Sequence, residues 1–210
     1  ITKACLELFL KYKHPVGIIT KNALILRDLD ILAELAKYNL IGVNLSITSL
    51  SEGTRRILEP RTTTIKKRLE TIRVLSENNI PVNAMLAPII PGINGHEILH
   101  LAKAVADNGA LSFGFTVVRL NGAIGQIFTD WIRKALPDRA DKVLNQIQEC
   151  HGGTLYDSRF GIRMRGEGKI AAQIHDMMHL AKRSYFKNRT FPKLNTELYE
   201  QCKDGQMRLF

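Results

Sequence analysis

Four short apolar runs alternate with helical patterns over the first 120 residues, and this alternation restricts the folds open to the chain. The runs are VGIIT (16–20), IGVNLSIT (41–48), the run beginning VNAMLAP (82–88) and LSFGFTVVRL (111–120). Strands that alternate with helices in this way are typical of βαβ units with right-handed crossovers on a parallel sheet. The sequence therefore predicts an α/β fold, as part of either an open doubly wound sheet or a β/α barrel.

The helical patterns have clear stops. Asn39, Asn79 and Gly109 each follow a helical stretch, and Asn and Gly are the residue types that most often end a helix in the left-handed conformation. The helix before the third run has an apolar stripe formed by Ile65, Leu69, Ile72 and Leu75. Its basic residues, among them Arg68, lie off this stripe, so we expect them on the helix surface. The first run, VGIIT, is β-branched and apolar, which predicts a strand buried on both faces.

Each run leads into a polar or glycine-rich segment. Lys21 follows the first run, Ser46 ends the second, Pro88–Asn94 follow the third, and Arg119 lies at the end of the fourth. Ligands bind at the carboxyl ends of the strands in doubly wound sheets and in barrels alike. The sequence therefore predicts one ligand site built from these four segments.

The third of these segments, IIPGIN, is unusually constrained. Pro88 and Pro91 stiffen the exit from the strand, whereas Gly92 permits a turn and a close approach of the backbone to a ligand. Such a segment is either a tight connection or one wall of a binding site.

Charged residues accompany the predicted site. The ammonium group of Lys21 could hold a carboxylate or a phosphate, or could face solvent at a strand end. Glu59 and Arg61 flank a proline in LEPRTTT (58–64), where they could form a salt bridge or act on a ligand. The local sequence leaves both pairs of alternatives open.

The net charge of +10 is concentrated in two segments. Residues 55–73 carry seven Lys and Arg against two Glu, and residues 151–193 carry nine against three acidic residues. Such basic segments can bind nucleic acid, because neutralising phosphates drives that binding. They can equally form a solvated cationic surface.

Residues 126–210 lack the alternation and read mainly as helices, with a frayed end after Leu194. We predict a partial β/α barrel over 1–125 and a helical extension over 126–210. The extension contains HDMMH (175–179), whose two histidines lie on one helix face and could share a metal ion. No third ligand is obvious, so we interpret them as surface or half-buried histidines and predict no metal site.

Cysteine usage and hydropathy indicate the cellular setting. Cys5, Cys150 and Cys202 are too far apart to predict a disulfide framework or a metal-binding cluster. No apolar stretch reaches the roughly 18 to 20 residues that a membrane span requires. We therefore expect a cytoplasmic protein that does not bind membranes.

Three ordered strings carry a resemblance to a known family: VGIITKN, NLSITS and LEPRTTTIKKRLETIRVLSENNIPVNAMLAPIIPGIN. Over residues 1–122 the chain resembles the radical S-adenosylmethionine (radical SAM) superfamily. Within it, the sequence is most similar to the DNA-repair-photolyase-like branch that includes spore photoproduct lyase. DSRFGIRMRGEG (157–168) also resembles the tail of bacterial members of that branch.

This resemblance implies a partial (β/α)6 barrel and a defined chemistry. In the family, three cysteines of a CxxxCxxC loop hold a [4Fe-4S] cluster whose fourth iron is chelated by SAM. An electron from the cluster cleaves SAM to methionine and a 5′-deoxyadenosyl radical, which abstracts a hydrogen atom from the substrate. The cofactors supply the difficult chemistry, and the protein positions and shields them.

The resemblance also implies roles for particular residues, although it assigns no catalytic residue. Lys21 would contact the SAM carboxylate or ribose, and Ser46 would be a second polar contact. Glu59 and Arg61 would be an acidic–basic pair flanking the SAM pocket.

Two further segments are implied to contact the nucleoside part of SAM. Residues 87–94, with Pro88, Pro91 and Gly92, would approach the adenosine through their backbone. Val117, in the last predicted strand, would line the adenine side.

The chain departs from the family in one respect, because no CxxxCxxC occurs in its 210 residues and Cys5 lies on a predicted helix. We therefore expect this chain to be part of a longer enzyme, with a truncated or a degenerate relative as alternatives. The expected partners are a nucleic-acid substrate and an electron donor such as flavodoxin or ferredoxin. Competing hypotheses are a non-catalytic basic module that binds nucleic acid or a protein, and an unrelated barrel enzyme for a phosphorylated small molecule.

Overall fold

A computed structural model describes the backbone of residues 1–203 and the side chains of residues 1–201. Its four described strands form one parallel sheet in the order β1-β2-β3-β4. They are β1 (Val16–Thr20), β2 (Ile41–Ser46), β3 (Val82–Ile89) and β4 (Ser112–Val117). The strand order follows the chain without the reversal that marks a doubly wound sheet. The predicted α/β fold is confirmed, and the sheet has the arrangement of a partial β/α barrel.

Helices connect the strands and continue after the last one. The α-helices described are α1 (Thr2–Lys11), α2 (Leu29–Lys37), α3 (Glu52–Leu58), α4 (Ile65–Glu77), α5 (Ile98–Asp107), α6 (Ala123–Ala135), α7 (Ala140–Glu149), α8 (Gly168–Tyr185) and α9 (Glu197–Lys203). Short 3-10 helices precede α2, α5 and α7, at Ala23–Asp28, Gly95–Glu97 and Pro137–Arg139.

Helices α2, α4 and α5 end in the same cap, directly before the next strand. Asn39, Asn79 and Gly109 have φ values of 55°, 57° and 96°, in the left-handed region. The residue after each donates its backbone N–H to a carbonyl five residues earlier, as in a Schellman motif. These 3.0 Å bonds join Leu40 to Leu35, Ile80 to Leu75, and Ala110 to Val105. The three predicted helix stops are therefore confirmed.

The two faces of the sheet differ in composition. On one face the fully buried side chains of Val43, Leu45, Ala84 and Leu86 pack against apolar residues of α2, α4, α5 and α8. Burial of a side chain of this kind contributes about 1.5–3 kcal/mol. The other face, called the open face here, carries the alternate residues Gly17, Ile19, Asn44, Ser46, Asn83, Met85 and Gly114.

Strand β1 differs from its sequence-based prediction. We expected burial on both faces, but the strand alternates between half-buried and exposed residues, and Ile19 is 68% exposed. The reason is its place in the sheet, because β1 lies at one edge and pairs only with β2 among the described strands. Val16 and Ile18 pack against the main core on one face of the strand. Ile19 points to the open face.

The helices after β4 pack in two places. Helices α6 and α7 form a second apolar cluster with Ile90, Ile93, Val118 and Leu120, which follow β3 and β4. Helix α8 instead contacts α5 and extends the main core. The division at residue 125 stays a prediction, although α8 shares its core with the sheet.

The segment after α8 is more ordered than predicted. Arg189 Nη1 donates hydrogen bonds to the carbonyls of Ala106 and Ala110, at 2.7 and 2.6 Å. Asn195 donates its backbone N–H to the carbonyl of Asn39 at 2.9 Å, and α9 follows. The frayed end predicted after Leu194 is therefore wrong up to Lys203, because the segment binds helix ends that are distant in sequence.

Cys5 is exposed and Cys150 is buried, and burial raises the pKa of the Cys150 thiol to about 11. The side chain of Cys202 lies outside the described residues. Among residues 1–203, no helix is both long enough and apolar enough to cross a membrane.

Candidate functional site

The carboxyl ends of the four strands meet at a cavity of about 250 Å³. Its walls come from the segments after all four strands and from α6, and its lining residues are Lys21, Thr48, Leu58, Glu59, Pro88, Ile90, Val118 and Phe128. Two of these side chains are charged, and most of the others are apolar. The strand-end segments singled out in the sequence are thus brought together, and helix α6 adds a wall that the sequence did not indicate.

Lys21 is held at this cavity by Glu59. Its Nζ atom donates a hydrogen bond to Glu59 Oε1 at 2.6 Å, although the two residues are 38 positions apart. The Lys21 side chain is 42% exposed, whereas that of Glu59 is only 9% exposed. The ammonium group is therefore fixed in position and still accessible to a ligand.

Arg68 holds the other oxygen of the same carboxylate. Its Nη2 atom donates to Glu59 Oε2 at 2.7 Å and also to the hydroxyl of Thr62. Its Nη1 atom donates to the Ser46 carbonyl at the end of β2, and its Nε atom donates to the Thr63 carbonyl, both at 3.0 Å. One guanidinium group therefore connects a strand end, the 59–63 segment and the carboxylate that positions Lys21.

The expected surface position of Arg68 is wrong. The residue is 1% exposed, because it occupies the buried face of α4, three residues after Ile65 and four before Ile72. The sequence contained this signal, since a cation on the core face of an amphipathic helix needs a buried acceptor. The signal was missed because Leu69, next to Arg68, completes an apolar stripe with Ile65, Ile72 and Leu75 that does not include Arg68.

Glu59 and Arg61 do not form the salt bridge that was one of the two alternatives left open by the sequence, and their role beside the SAM pocket stays a prediction. Arg61 is exposed, and both carboxylate oxygens of Glu59 are taken by Lys21 and Arg68. The chain turns sharply here, with the Thr62 backbone N–H donating to the Glu59 carbonyl at 3.1 Å. This turn sends Glu59 inward and leaves Arg61 outside.

The ionisation of Glu59 follows from these contacts. Burial alone would raise the pKa of its carboxyl group, but hydrogen bonds from Lys21 and Arg68 outweigh burial, so its pKa lies below the ordinary value. Glu59 is therefore ionised at neutral pH. Two cations around one carboxylate leave a net positive charge, which reaches solvent at Lys21.

The segment after β3 contributes only part of what its sequence predicts. Pro88 lines the cavity, but Pro91 and Gly92 line a different one, beside α7 and α8. Gly92 has φ of +77°, and a Cβ atom there would lie 2.8 Å from Gln146 Oε1 and 2.9 Å from Val143 Cγ2. The glycine therefore allows a turn against α7, and the approach of Pro91 and Gly92 to adenosine stays a prediction that their position does not favour.

Asn94, which the sequence analysis did not single out, fixes this segment. Its side chain is 1% exposed, and its Oδ1 atom accepts a hydrogen bond from the Ile90 backbone N–H at 2.6 Å. Its Nδ2 atom donates to the carbonyls of Thr48 and Pro88, at 2.7 and 3.0 Å. The amide group thus ties the exit of β3 to the exit of β2.

The last two predicted site residues, Val117 and Ser46, are both buried, but they lie in different parts of the fold. Val117, the last residue of β4, is buried in the main core, and Val118, the residue after the strand, lines the cavity instead. Ser46 is buried at the end of β2, where its carbonyl accepts the bond from Arg68.

The part of the chain that the structure describes contains no group of side chains suited to binding iron or zinc. His175 Nε2 lies 3.0 Å from the Arg165 carbonyl, and its ring packs against Phe115 with a centroid separation of 5.0 Å. Among residues 1–201, no three His, Cys, Asp or Glu side chains cluster so as to hold a metal ion. These residues therefore do not fit a [4Fe-4S] cluster.

The cavity does suit an organic ligand with an anionic end. The Lys21 ammonium group provides the charge, and Leu58, Pro88, Ile90, Val118 and Phe128 provide apolar walls for a planar body. Its volume of about 250 Å³ lies just below the range of roughly 300–1,000 Å³ for whole ligand pockets, so it accommodates part of a ligand of that size.

Curated relatives share parts of this sequence. The chain is 28% identical to an uncharacterised protein of Mycobacterium tuberculosis over 126 residues, which is 59% of the chain and 37% of the relative. It is 33% identical to an uncharacterised protein of Methanocaldococcus jannaschii over 81 residues, 39% of the chain and 30% of the relative. The matched stretches thus span between 30% and 37% of these relatives.

A solved structure shares the fold. A mutant of spore photoproduct lyase superposes with a TM-score of 0.58 at 16% identity, over 88% of this chain and 53% of the other. The profile of the Radical SAM superfamily matches residues 1–105, which include β1 to β3 and the Lys21, Glu59 and Arg68 network. The chain belongs to the radical SAM superfamily.

Proposed function

We propose that this chain supplies the SAM-binding wall of a radical SAM enzyme. The observation that carries the proposal is the Lys21 ammonium group, braced by the buried Glu59 and Arg68 pair at the mouth of an apolar cavity. A fixed, accessible cation is the partner that the SAM carboxylate requires. The apolar walls suit the adenine ring.

Particular residues take particular roles in this proposal. Lys21 binds the carboxylate, and Ser46 lies one strand away as a second polar contact. Pro88 and Val118 pack against the adenosine, and Phe128 of α6 excludes water from the same side. When SAM is bound beside a reduced cluster, it supplies a 5′-deoxyadenosyl radical for hydrogen abstraction from a substrate.

The cluster itself is not assigned to the described residues, which lack a fitting set of ligands. We propose that its cysteines lie outside these 210 residues, because no CxxxCxxC occurs within them. Reduction by flavodoxin or ferredoxin is part of the same proposal. The whole protein would then act as a lyase-like radical enzyme in the cytoplasm.

SAM binding tests this proposal directly. Equilibrium dialysis of the chain with radiolabelled SAM should give saturable binding, and Lys21→Met should raise the Kd roughly tenfold or more, as expected for loss of a charge-assisted contact. Lys66→Met is the matched control, since Lys66 is an exposed cation on α4 and should leave the Kd unchanged. Absence of SAM binding by the wild-type chain, or equal loss in both variants, would overturn the proposal.

We propose nucleic acid as the substrate class, on the evidence of the segment between α7 and α8. Phe160 is 92% exposed there, and the Arg163 guanidinium group lies 5.7 Å from its ring centroid. Met164 accepts a hydrogen bond from the Val117 backbone N–H at 3.2 Å, which holds the segment beside the end of β4. An exposed aromatic ring next to arginine is the combination that stacks on bases and binds phosphates.

Fluorescence anisotropy with labelled single-stranded DNA tests the substrate class. Phe160→Ala should weaken binding about 5- to 150-fold, the range for one lost base-stacking contact. Ile127→Ala is the control, because Ile127 is also exposed and apolar but lies on α6. DNA binding without SAM binding would instead favour the non-catalytic basic module, and equal affinity of the Phe160→Ala variant would refute the role of this segment.

A further inference from the structure

The open face of the sheet carries a pair of carboxamide groups below the proposed SAM site. Asn44 of β2 and Asn83 of β3 are paired residues in the parallel ladder. Asn83 Nδ2 donates a hydrogen bond to Asn44 Oδ1 at 2.8 Å, and both residues are half-buried. Within the described residues, neither amide group makes a further side-chain hydrogen bond.

One hydrogen bond does not satisfy two amide groups. Each carboxamide has two N–H donors and one carbonyl acceptor. A pair joined by a single N–H···O bond therefore keeps the NH₂ of one amide and the oxygen of the other available. This holds whichever of the two amides is the donor. The pair consequently keeps three unused N–H donors and one unpaired carbonyl oxygen.

The open face is uncovered at two glycines near the pair, Gly17 beside Gly42 and Gly114 beside Met85. A Cβ atom added to Gly17 of β1 or to Gly114 of β4 would meet no atom within 4 Å. Ile19, the ladder partner of Asn44 on β1, is 68% exposed. The ladder partners of the amide pair are thus the apolar Ile19 on β1 and the small polar Ser112 on β4, with two glycines close by, and such small or exposed neighbours leave room for the face of a flat group.

The open face has a floor below this pair. A Cβ atom on Gly42 would lie 3.0 Å from Cζ of Phe191 and 3.9 Å from Cδ2 of Leu194, so these side chains cover the face at that level. Asn44 lies two residues further along β2, and Ser46 another two, with about 6.6 Å for each pair of residues. The amide pair therefore lies between an apolar floor and the strand-end cavity.

We propose that Asn44 and Asn83 bind the hydrogen-bonding edge of a nucleobase. A base edge with one donor beside one acceptor, such as N3–H and the adjacent carbonyl of thymine, is complementary to the free acceptor and donor of the pair. A single Asn or Gln amide makes a bidentate contact with adenine in the same way, one donor and one acceptor to one base edge, and enzymes that act on a flipped base read it through its Watson–Crick edge. The inference rests on the proposed function, since it places the base beneath the SAM site.

The basic composition decides between a nucleobase and a peptide amide as the ligand. An uncharged peptide would offer the same donor and acceptor, but it would gain nothing from the net charge of +10 or from the Arg163 guanidinium group beside Phe160. A nucleic-acid strand uses all three features. The observations therefore favour the base.

Binding of oligo(dT) to the chain tests this inference by anisotropy. The wild-type chain should bind oligo(dT) at least about tenfold more tightly than the same oligonucleotide made with N3-methylthymidine, which lacks the N3–H donor. Asn44→Leu/Asn83→Leu should abolish this preference. Replacing both members of the pair with apolar residues of similar shape is nearly neutral for folding. An unchanged thermal unfolding midpoint would confirm that the double variant is folded.

The outcomes separate this inference from the proposed function. Equal binding of the two oligonucleotides by the wild-type chain would overturn it, as would a double variant that keeps the preference. Competition by an uncharged blocked dipeptide as effective as that by thymidine would assign the site to a peptide amide instead. The Kd for SAM should be the same in the double variant and the wild type. If the wild-type chain does not bind SAM, the proposed function is refuted. The oligonucleotide comparison would still test whether the amide pair binds a base.

Discussion

A buried guanidinium group must find acceptors for its N–H groups, and at position 68 the acceptors come from two separate segments, the end of β2 and residues 59–63. The Ser46 carbonyl, the Thr63 carbonyl and the Glu59 carboxylate all accept hydrogen bonds from Arg68. Removing one partner of a buried ion pair leaves the other charge uncompensated, which costs far more than the loss of an exposed pair. At the residue scale, the site therefore depends on Arg68 as well as on Lys21.

We expect Arg68→Met to lower the free energy of unfolding by about 3–5 kcal/mol, the range for breaking a buried ion pair. Urea denaturation at pH 7 measures the change. Arg61→Met is the matched control, because Arg61 is exposed and close in sequence and should change stability by no more than about 0.5 kcal/mol. Equal destabilisation by the two variants would contradict the assignment of Arg68 as the partner of Glu59.

The pH dependence of the free energy of unfolding should report the ionisation of Glu59. Its pKa is lower in the folded chain than in the unfolded chain, so its ion pairs stabilise the fold fully above the unfolded pKa of about 4.3 and lose effect as pH falls through the lower folded value. Glu59→Gln should therefore be less stable than wild type at pH 7, and the difference should shrink below about pH 4. Urea midpoints from pH 3 to 7 give the comparison.

The exposed pair of Arg73 and Glu77 on α4 provides the control for this series. Glu77→Gln should remain close to wild type at every pH, because an exposed pair contributes little. A difference between wild type and Glu59→Gln that stays constant down to pH 3 would show that ionisation of Glu59 is not its cause.

At the scale of elements, each helix cap and each strand exit contributes to the shape of the site. The caps at Asn39, Asn79 and Gly109 lead the chain directly into β2, β3 and β4. At the opposite ends of the strands, Asn94 joins the exits of β2 and β3, and Gly92 lets the same segment pass close to α7. The wall containing Pro88 is therefore positioned by packing against α7 as well as by the sheet.

We expect Gly92→Ala to destabilise the fold by about 1–3 kcal/mol or more, since the left-handed φ of +77° is unfavourable for alanine and the new methyl group would collide with Val143 and Gln146. Gly153→Ala separates the two causes. Its φ is +92°, but a Cβ atom there meets nothing within 4 Å, so it reports backbone strain alone. Thermal unfolding should rank Gly92→Ala below Gly153→Ala, and the reverse order would refute the contact with α7.

At the scale of the whole molecule, the segment after α8 packs against the chain just before β2 and β4 and at the start of β2. Arg189 binds the carboxyl end of α5, Phe191 covers Gly42 of β2, and Asn195 binds the cap of α2. These contacts all lie at the amino ends of the strands, opposite the proposed SAM site. The segment therefore supports the sheet from below and closes the open face there.

We expect Arg189→Met to lower the free energy of unfolding by about 1.5–3 kcal/mol, the range for hydrogen bonds that involve a charged group. Lys187→Met, an exposed cation two residues earlier, should have almost no effect. Hydrogen exchange should show faster exchange at the end of α5 in the Arg189 variant only. Unchanged exchange there would contradict the bridging role.

The sequence by itself determined the features that depend on neighbouring residues. The alternation of apolar runs and helical stripes predicted the four parallel strands, and Asn39, Asn79 and Gly109 predicted the helix ends, because periodicity and backbone preference act over a few residues. The family resemblance rested on the same ordered strings. The strand-end location of the site followed from a general property of parallel sheets.

Only the tertiary structure decided which side chains meet. Glu59 could have paired with Arg61 by sequence, but the turn at residue 62 sent it to Lys21 and Arg68. Likewise Val118, the residue after β4, lines the cavity whereas Val117 is buried in the core, and the ladder register sets Asn44 beside Asn83. These outcomes depend on contacts between residues distant in the chain, whose geometry is fixed by packing of the whole fold and leaves no periodic trace in the sequence.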